Sequence, residues 1–194
     1  MFGKSKKRSI VEEMAMGAAA GVVGTWVIGK VMAKMQQMSK SKEADRSAAS
    51  QEKQHEKEKD QGTALLAKRM LLMFGAEPTE DRKAKLGQAL HWGYGITWGA
   101  TYGVLRNRYP KLSWGLGLPF GVAFGVFSTE ILLTLTGLAP PPPQAPMKRH
   151  AGNIAAHVAY AAAADGSYRA IERVMNGRQN RVNRIWQSTK DRLT

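Results

Sequence analysis

Four side chains of this chain could do chemistry from inside apolar surroundings: Lys30, His91, Glu130 and His157. Each interrupts a stretch that is otherwise poor in charge. Imidazole and carboxylate groups exchange protons near neutral pH, and two histidines with one glutamate are also ligand types that suit zinc or iron. The same groups can hydrogen-bond helices together without any reaction. Ionisable residues within a membrane are costly, usually face the bundle interior, and often mark ion or proton paths. At a rise of about 1.5 Å per residue, His91, Glu130 and His157 fall roughly 8 to 9 Å from one end of their apolar stretches. Lys30, near the end of its own stretch, joins that level. A structural polar layer, a proton or ion path, and a metal site all stay open here. No His-x-x-x-His spacing supports the metal site.

Other chemistries find little support. The chain has no cysteine, which excludes disulfide frameworks, zinc fingers and thiol nucleophiles. There is no Walker pattern, and the glycines recur at helical rather than loop spacing. No Ser-His-Asp constellation can be assembled. The expectation is a protein that is not an enzyme, with no cofactor and no metal.

The elements that must position the four residues are apolar runs of membrane-spanning length. A span needs about 20 mainly apolar residues. Four stretches qualify, at about 14–35, 86–105, 113–136 and 151–171. The second carries no charge from Gln88 to Leu105, and its Gly95, Gly99 and Gly103 recur every fourth residue. Residues i and i+4 share a helix face. Such glycines cost stability in a soluble helix but let two membrane helices approach closely. Gly17 and Gly21, continued by Thr25 and Gly29, repeat the row in the first span, and Gly117, Gly121 and Gly125 repeat it in the third. Pro119 is a candidate kink in the third span. The fourth is mostly alanine with Asp165 inside, so it needs neighbours to shield it.

Between the spans the composition changes. Segment 36–62 is polar, of mixed charge and free of aromatics, and cannot bury a core. Residues 63–75 read as an amphipathic helix, either on the membrane surface or packed on the bundle. Pro140 to Pro143 make a stiff connector. The tail, 172–194, is basic and helical in pattern, with Val182, Ile185 and Trp186 placed to touch headgroups. The formal net charge is +14, which suits nucleic acid or an anionic membrane surface. Because the basic residues flank the apolar stretches, the expected partner is a lipid bilayer with anionic headgroups and not nucleic acid. Lys and Arg counts in the short loops place both termini in the cytoplasm and the proline loop outside.

Several of these residues together resemble the YagU-like family of bacterial inner-membrane proteins. The matching pieces are Ala20-Gly21-Val22-Val23, the helix start at His91-Trp92, and the helix end from Tyr102 to Pro110. They continue with Thr136-Gly137-Leu138-Ala139-Pro140-Pro141, His157, and Tyr168-Arg169-Ala170-Ile171-Glu172-Arg173. Segment 36–85 departs from the family pattern. The resemblance implies a multi-pass protein of the bacterial inner membrane with no assigned biochemical activity, and it supplies no catalytic residues.

The reading as a whole is an all-α integral membrane bundle of four transmembrane helices with Gly-x-x-x-Gly packing, forming one domain over residues 1–194. The expected role is structural or in assembly, with a second copy or a membrane-protein partner. The alternative is a proton- or ion-linked transporter or channel component that uses the His/Glu layer.

Overall fold

In a computed structural model, the chain is described over residues 8–43, 63–138, 142–144 and 146–190. These residues form helices and connecting turns, with no strand among them. The polar segment expected at 36–62 is helical to residue 43, and its remainder lies outside the described residues.

Helix α1 spans Ile10–Glu43. Its start is a reciprocal cap: Ser9 Oγ accepts from the Glu12 amide at 3.2 Å, and the Ser9 amide donates to the Glu12 carboxylate at 3.0 Å. This satisfies two amides that the first helical turn leaves unpaired. Helix α2, Thr63–Met73, is short and buries Ala67 completely. Helix α3, Glu80–Arg108, has Thr79 as its N-cap, Glu80 and Asp81 in its first turn, and Arg106 and Arg108 in its last. Those charges complement the helix dipole at both ends.

The chain then turns through a 3-10 segment, Pro110–Ser113, and through Gly117, whose φ of 78° is left-handed. Glycine adopts that conformation without strain. Helix α4 follows, from Leu118–Gly125 through a π-helical segment, Val126–Leu132, to Leu133–Leu135. The expected third span thus starts later, at Leu118 instead of 113. Pro119 sits in the first turn of the helix, where its missing amide costs nothing, and does not kink it. Gly117 precedes the helix, so only Gly121 and Gly125 continue the row there.

Helix α5, Met147–Lys190, is a single helix of 44 residues. The basic tail is, through residue 190, its direct continuation. Trp186 therefore lies roughly 32 Å along the axis from Asp165. A straight helix carries Val182, Ile185 and Trp186 away from the bundle, so the expected headgroup contact does not follow from the fold.

The small residues of α1 lie against those of α3, antiparallel. A methyl group added at Gly21 would lie 2.9 Å from Gly99 Cα, and one at Gly17 would lie 2.9 Å from Gly103 Cα. Thr25 then sits against Gly95, and Gly29 against the His91 ring. On α4, a methyl at Gly121 would meet Val158 Cα of α5 at 2.8 Å. Aromatic rings fill the space between α3 and α4: Trp98 lies 4.9 Å from Phe124, and Tyr102 lies 4.5 Å from Phe120, centre to centre. Tyr160 of α5 donates to the Gly95 carbonyl at 2.5 Å, across the core.

Candidate functional site

Two groups of polar side chains lie at opposite ends of this bundle. The larger is built around Asp165, which is fully buried on α5. Its carboxylate accepts from Tyr102 Oη of α3 at 2.7 Å and from Arg169 Nε, one turn along α5, at 2.6 Å. Arg106, one turn beyond Tyr102, brings its guanidinium to 3.6 Å from the same carboxylate. It also lies over the Tyr168 ring, 4.2 Å from the centre. A buried carboxylate is tolerated only when paired and hydrogen-bonded, and Asp165 has both.

The network spreads outward from there. Glu172 pairs with Arg8 and lies 3.9 Å from Arg106. Arg8 also donates to Asn176 at 2.7 Å, which ties the start of α1 to α5. Arg108 donates to Glu13 of α1 at 3.1 Å, and Asn107 donates to Tyr168 Oη at 3.2 Å. Arg169 Nη2 donates to the Ser113 carbonyl at 2.8 Å, which fixes the turn between α3 and α4. Helices α3 and α5 meet at this buried charge, Arg169 links it to the turn, and Arg106 and Glu172 extend it to the start of α1. The chemistry of the cluster is that of a latch.

The polar layer at the opposite end is only partly assembled. His157 is buried, with its ring edge-on to Phe124 at 4.7 Å and its Nδ1 donating to the Asn153 carbonyl at 2.8 Å. His91 lies against Gly29 of α1, with Nε2 3.8 Å from a methyl group added there. Lys30 is exposed, with its ammonium 5.9 Å from the Trp26 ring centre, and it lines a groove shared with His91. Glu130 departs from the expected layer. Its carboxylate lies 2.8 Å from His150 Nδ1 and accepts from Thr129 Oγ1 at 3.1 Å. The π-helical segment adds a residue to the turn, and it buries Ser128, whose hydroxyl meets Tyr94 Oη at 2.9 Å.

His150 also lies against the proline turn, with Nε2 3.1 Å from the Pro142 carbonyl. Among the described residues, no three His, Asp or Glu side chains converge to hold a metal ion.

Sequence reasoning did not assemble the Asp165 cluster or the His150 pair. The signal for the first was present as two one-turn pairs, Tyr102 with Arg106 and Asp165 with Arg169. Tyr102, Arg106 and Arg169 fall inside stretches that carry the family resemblance, and Asp165 lies just before one. The signal for the second was the proline turn, which folds His150 back over the end of α4.

The fold and its polar groups define an all-helical protein with two helical stretches, Ile10–Met38 and Leu118–Leu135, that are long and apolar enough to cross a membrane. Residues 77–165 match a family described as a protein of unknown function, DUF1440. The match covers α3, α4 and the part of α5 that ends at Asp165, and so includes Tyr102 and Arg106. No curated protein and no solved structure matches the chain.

Proposed function

We propose that this chain is a multi-pass protein of the bacterial inner membrane, a YagU-like bundle of four transmembrane helices with a structural or assembly role and no enzymatic activity. The observation that carries the reading is an inverted surface. Val22, Val23 and Trp26 of α1 face outward, as do Val122, Val126, Phe127, Ile131 and Leu135 of α4. The interior holds Gly21, Thr25, Tyr160 and Asp165. In water such outward faces would be large apolar patches; in lipid they are ordinary, and close packing of small residues is what holds membrane helices together. Gly-x-x-x-Gly packing of α1 on α3 accounts for the close approach. Helices α3 and α5 are less apolar, and Tyr102, Arg106 and Asp165 within them are turned inward and paired. The outward faces suit lipid, a second copy or a membrane-protein partner.

The Arg8 to Glu172 pair puts the start of α1 beside α5 at the end from which the tail extends, which supports both termini on one side, read as cytoplasmic. The native chain has no cysteine, so single cysteines report cleanly. Gln187→Cys is expected to react with an impermeant maleimide only after the cells are opened, and Gln144→Cys to react in intact cells. The reverse pattern inverts the topology. Release of the chain from vesicles by alkaline carbonate overturns the membrane reading itself.

A proton- or ion-linked transport role is the second reading. The 2.8 Å contact between His150 and Glu130, two groups of types that can exchange protons, favours it. Glu130→Gln is expected to keep the fold, because the amide still hydrogen-bonds, and to abolish proton flux in proteoliposomes. Flux indistinguishable from protein-free liposomes in the native chain removes this reading.

A further inference from the structure

Helices α1, α2 and α3 enclose a groove of about 640 Å³ at the end of the bundle opposite the termini. Its floor is made of small residues, with Gly29 and Ala33 from α1 and Ala84 and Gly87 from α3. Lys30, Lys83 and His91 stand along it, with Trp26 and Trp92. Lys83 is largely covered and pairs with Glu80 at 2.7 Å, whereas Glu80 itself is exposed. Lys30 leans over Trp26. The walls are therefore basic and aromatic above a smooth apolar floor.

We propose that this groove seats one anionic phospholipid, with its phosphodiester held between Lys30 and Lys83 and an acyl chain laid along the Gly29, Ala33 and Gly87 floor. The inference rests on the membrane reading and deepens it by naming a site. Volume supports it: binding clefts for small molecules enclose roughly 300 to 1,000 Å³. Level supports it too. Lys83 lies in the turn of α3 just before its apolar stretch, and Lys30 lies near the end of that of α1. Both ammonium groups therefore come where headgroup phosphates lie, with flexible stems that reach the interface. Tryptophans favour the same level. Helix α2 meets the groove through Ala64, and its other end exposes Leu72, Met73 and Phe74, an apolar edge suited to lipid. Charge favours the headgroup: Lys30, and Lys83 beside the exposed Glu80, attract a net negative phospholipid more strongly than a zwitterion.

The test uses full-length protein in phosphatidylcholine vesicles doped with bromine-labelled phosphatidylglycerol, whose acyl bromines quench nearby tryptophan. Trp26 and Trp92 are the reporters. Two lysines near a membrane surface predict a preference for phosphatidylglycerol over equally brominated phosphatidylcholine of about thirtyfold. Lys30→Gln with Lys83→Gln should bring that preference to within about twofold of unity. Lys111→Gln with Lys148→Gln, which removes equal charge elsewhere, should preserve it. Ala33→Phe, which fills the floor and spares both lysines, should also abolish it, so the result does not hang on how the lysine variant folds. Equal losses in the two double-lysine variants, or full preference in Lys30→Gln/Lys83→Gln, overturns the site while membrane insertion stands. Displacement of the lipid by inorganic phosphate makes the occupant a free anion and overturns the lipid assignment. Extraction by carbonate marks failure of the underlying membrane reading.

Discussion

Gly99→Leu is expected to lower the thermal midpoint in detergent by roughly 6 to 12 °C, the shift that a loss of about 3 kcal/mol gives a chain of this size. The atoms that a side chain at Gly99 would meet are backbone. A first carbon there already lies 2.5 Å from the Gly17 carbonyl oxygen and 2.8 Å from the Gly21 amide nitrogen. Neither can rotate aside as a side chain would, so α1 and α3 must separate along the whole row. Gly93 provides the control, because nothing lies within 4 Å of a carbon added there. Gly93→Leu is expected to be neutral or stabilising, since leucine favours the helix by several tenths of a kcal/mol over glycine. Ala100→Leu, off the row, should be milder than Gly99→Leu. Matching losses at Gly93 and Gly99 would remove the packing argument.

Asp165→Ala should be the other severe change, at about 3 to 5 kcal/mol, because it breaks a buried pair and leaves its partners uncompensated. Arg106 is nine-tenths covered, and its Nη1 has no hydrogen-bond partner even with Asp165 present. Removing the carboxylate leaves that guanidinium, the Arg169 side chain and the Tyr102 hydroxyl without their shared acceptor. Asp165→Asn keeps an acceptor for Tyr102 and the same shape but loses the charge, and should fall between Asp165→Ala and the native chain. Adding Arg106→Met to Asp165→Ala should recover part of the loss, since the unpaired charge goes with its partner. Thermal unfolding followed by tryptophan fluorescence reads all three. Unchanged melting of Asp165→Ala would show that the latch holds nothing.

Much of the scaffold was legible in the sequence because it rests on short-range regularities. The glycines at 95, 99 and 103 and at 17 and 21 are a period-of-four pattern, and in the fold those same glycines are where α1 and α3 come closest. Ser9 with Glu12, and Thr79 with Glu80 and Asp81, carry local capping signals as well, which the reading of the spans did not use. What was not legible depends on departures from regular spacing or on long side chains that cross between elements. The π-helical segment interrupts the regular spacing of α4, and the contact of Glu130 with His150 across the proline turn leaves no mark in that spacing. Arg106 and Arg169 were read as interfacial charges, each counted by itself. A guanidinium several bonds from its backbone reaches back into the bundle, and hydropathy has no term for that. The end of the fourth span was set at residue 171 by composition alone, while the backbone has no reason to break before Lys190.

That unbroken helix has a mechanical consequence. At 44 residues, α5 is about 66 Å long, more than twice the roughly 30 Å hydrocarbon thickness of a bilayer. Its far part is a rigid lever whose fulcrum is the Asp165 latch. A tilt of about 10° at that fulcrum sweeps Trp186 sideways by roughly 5 Å. Small repacking among Tyr102, Arg106 and Arg169, too slight to alter the bundle itself, is amplified into a displacement at the tip as large as a helix radius.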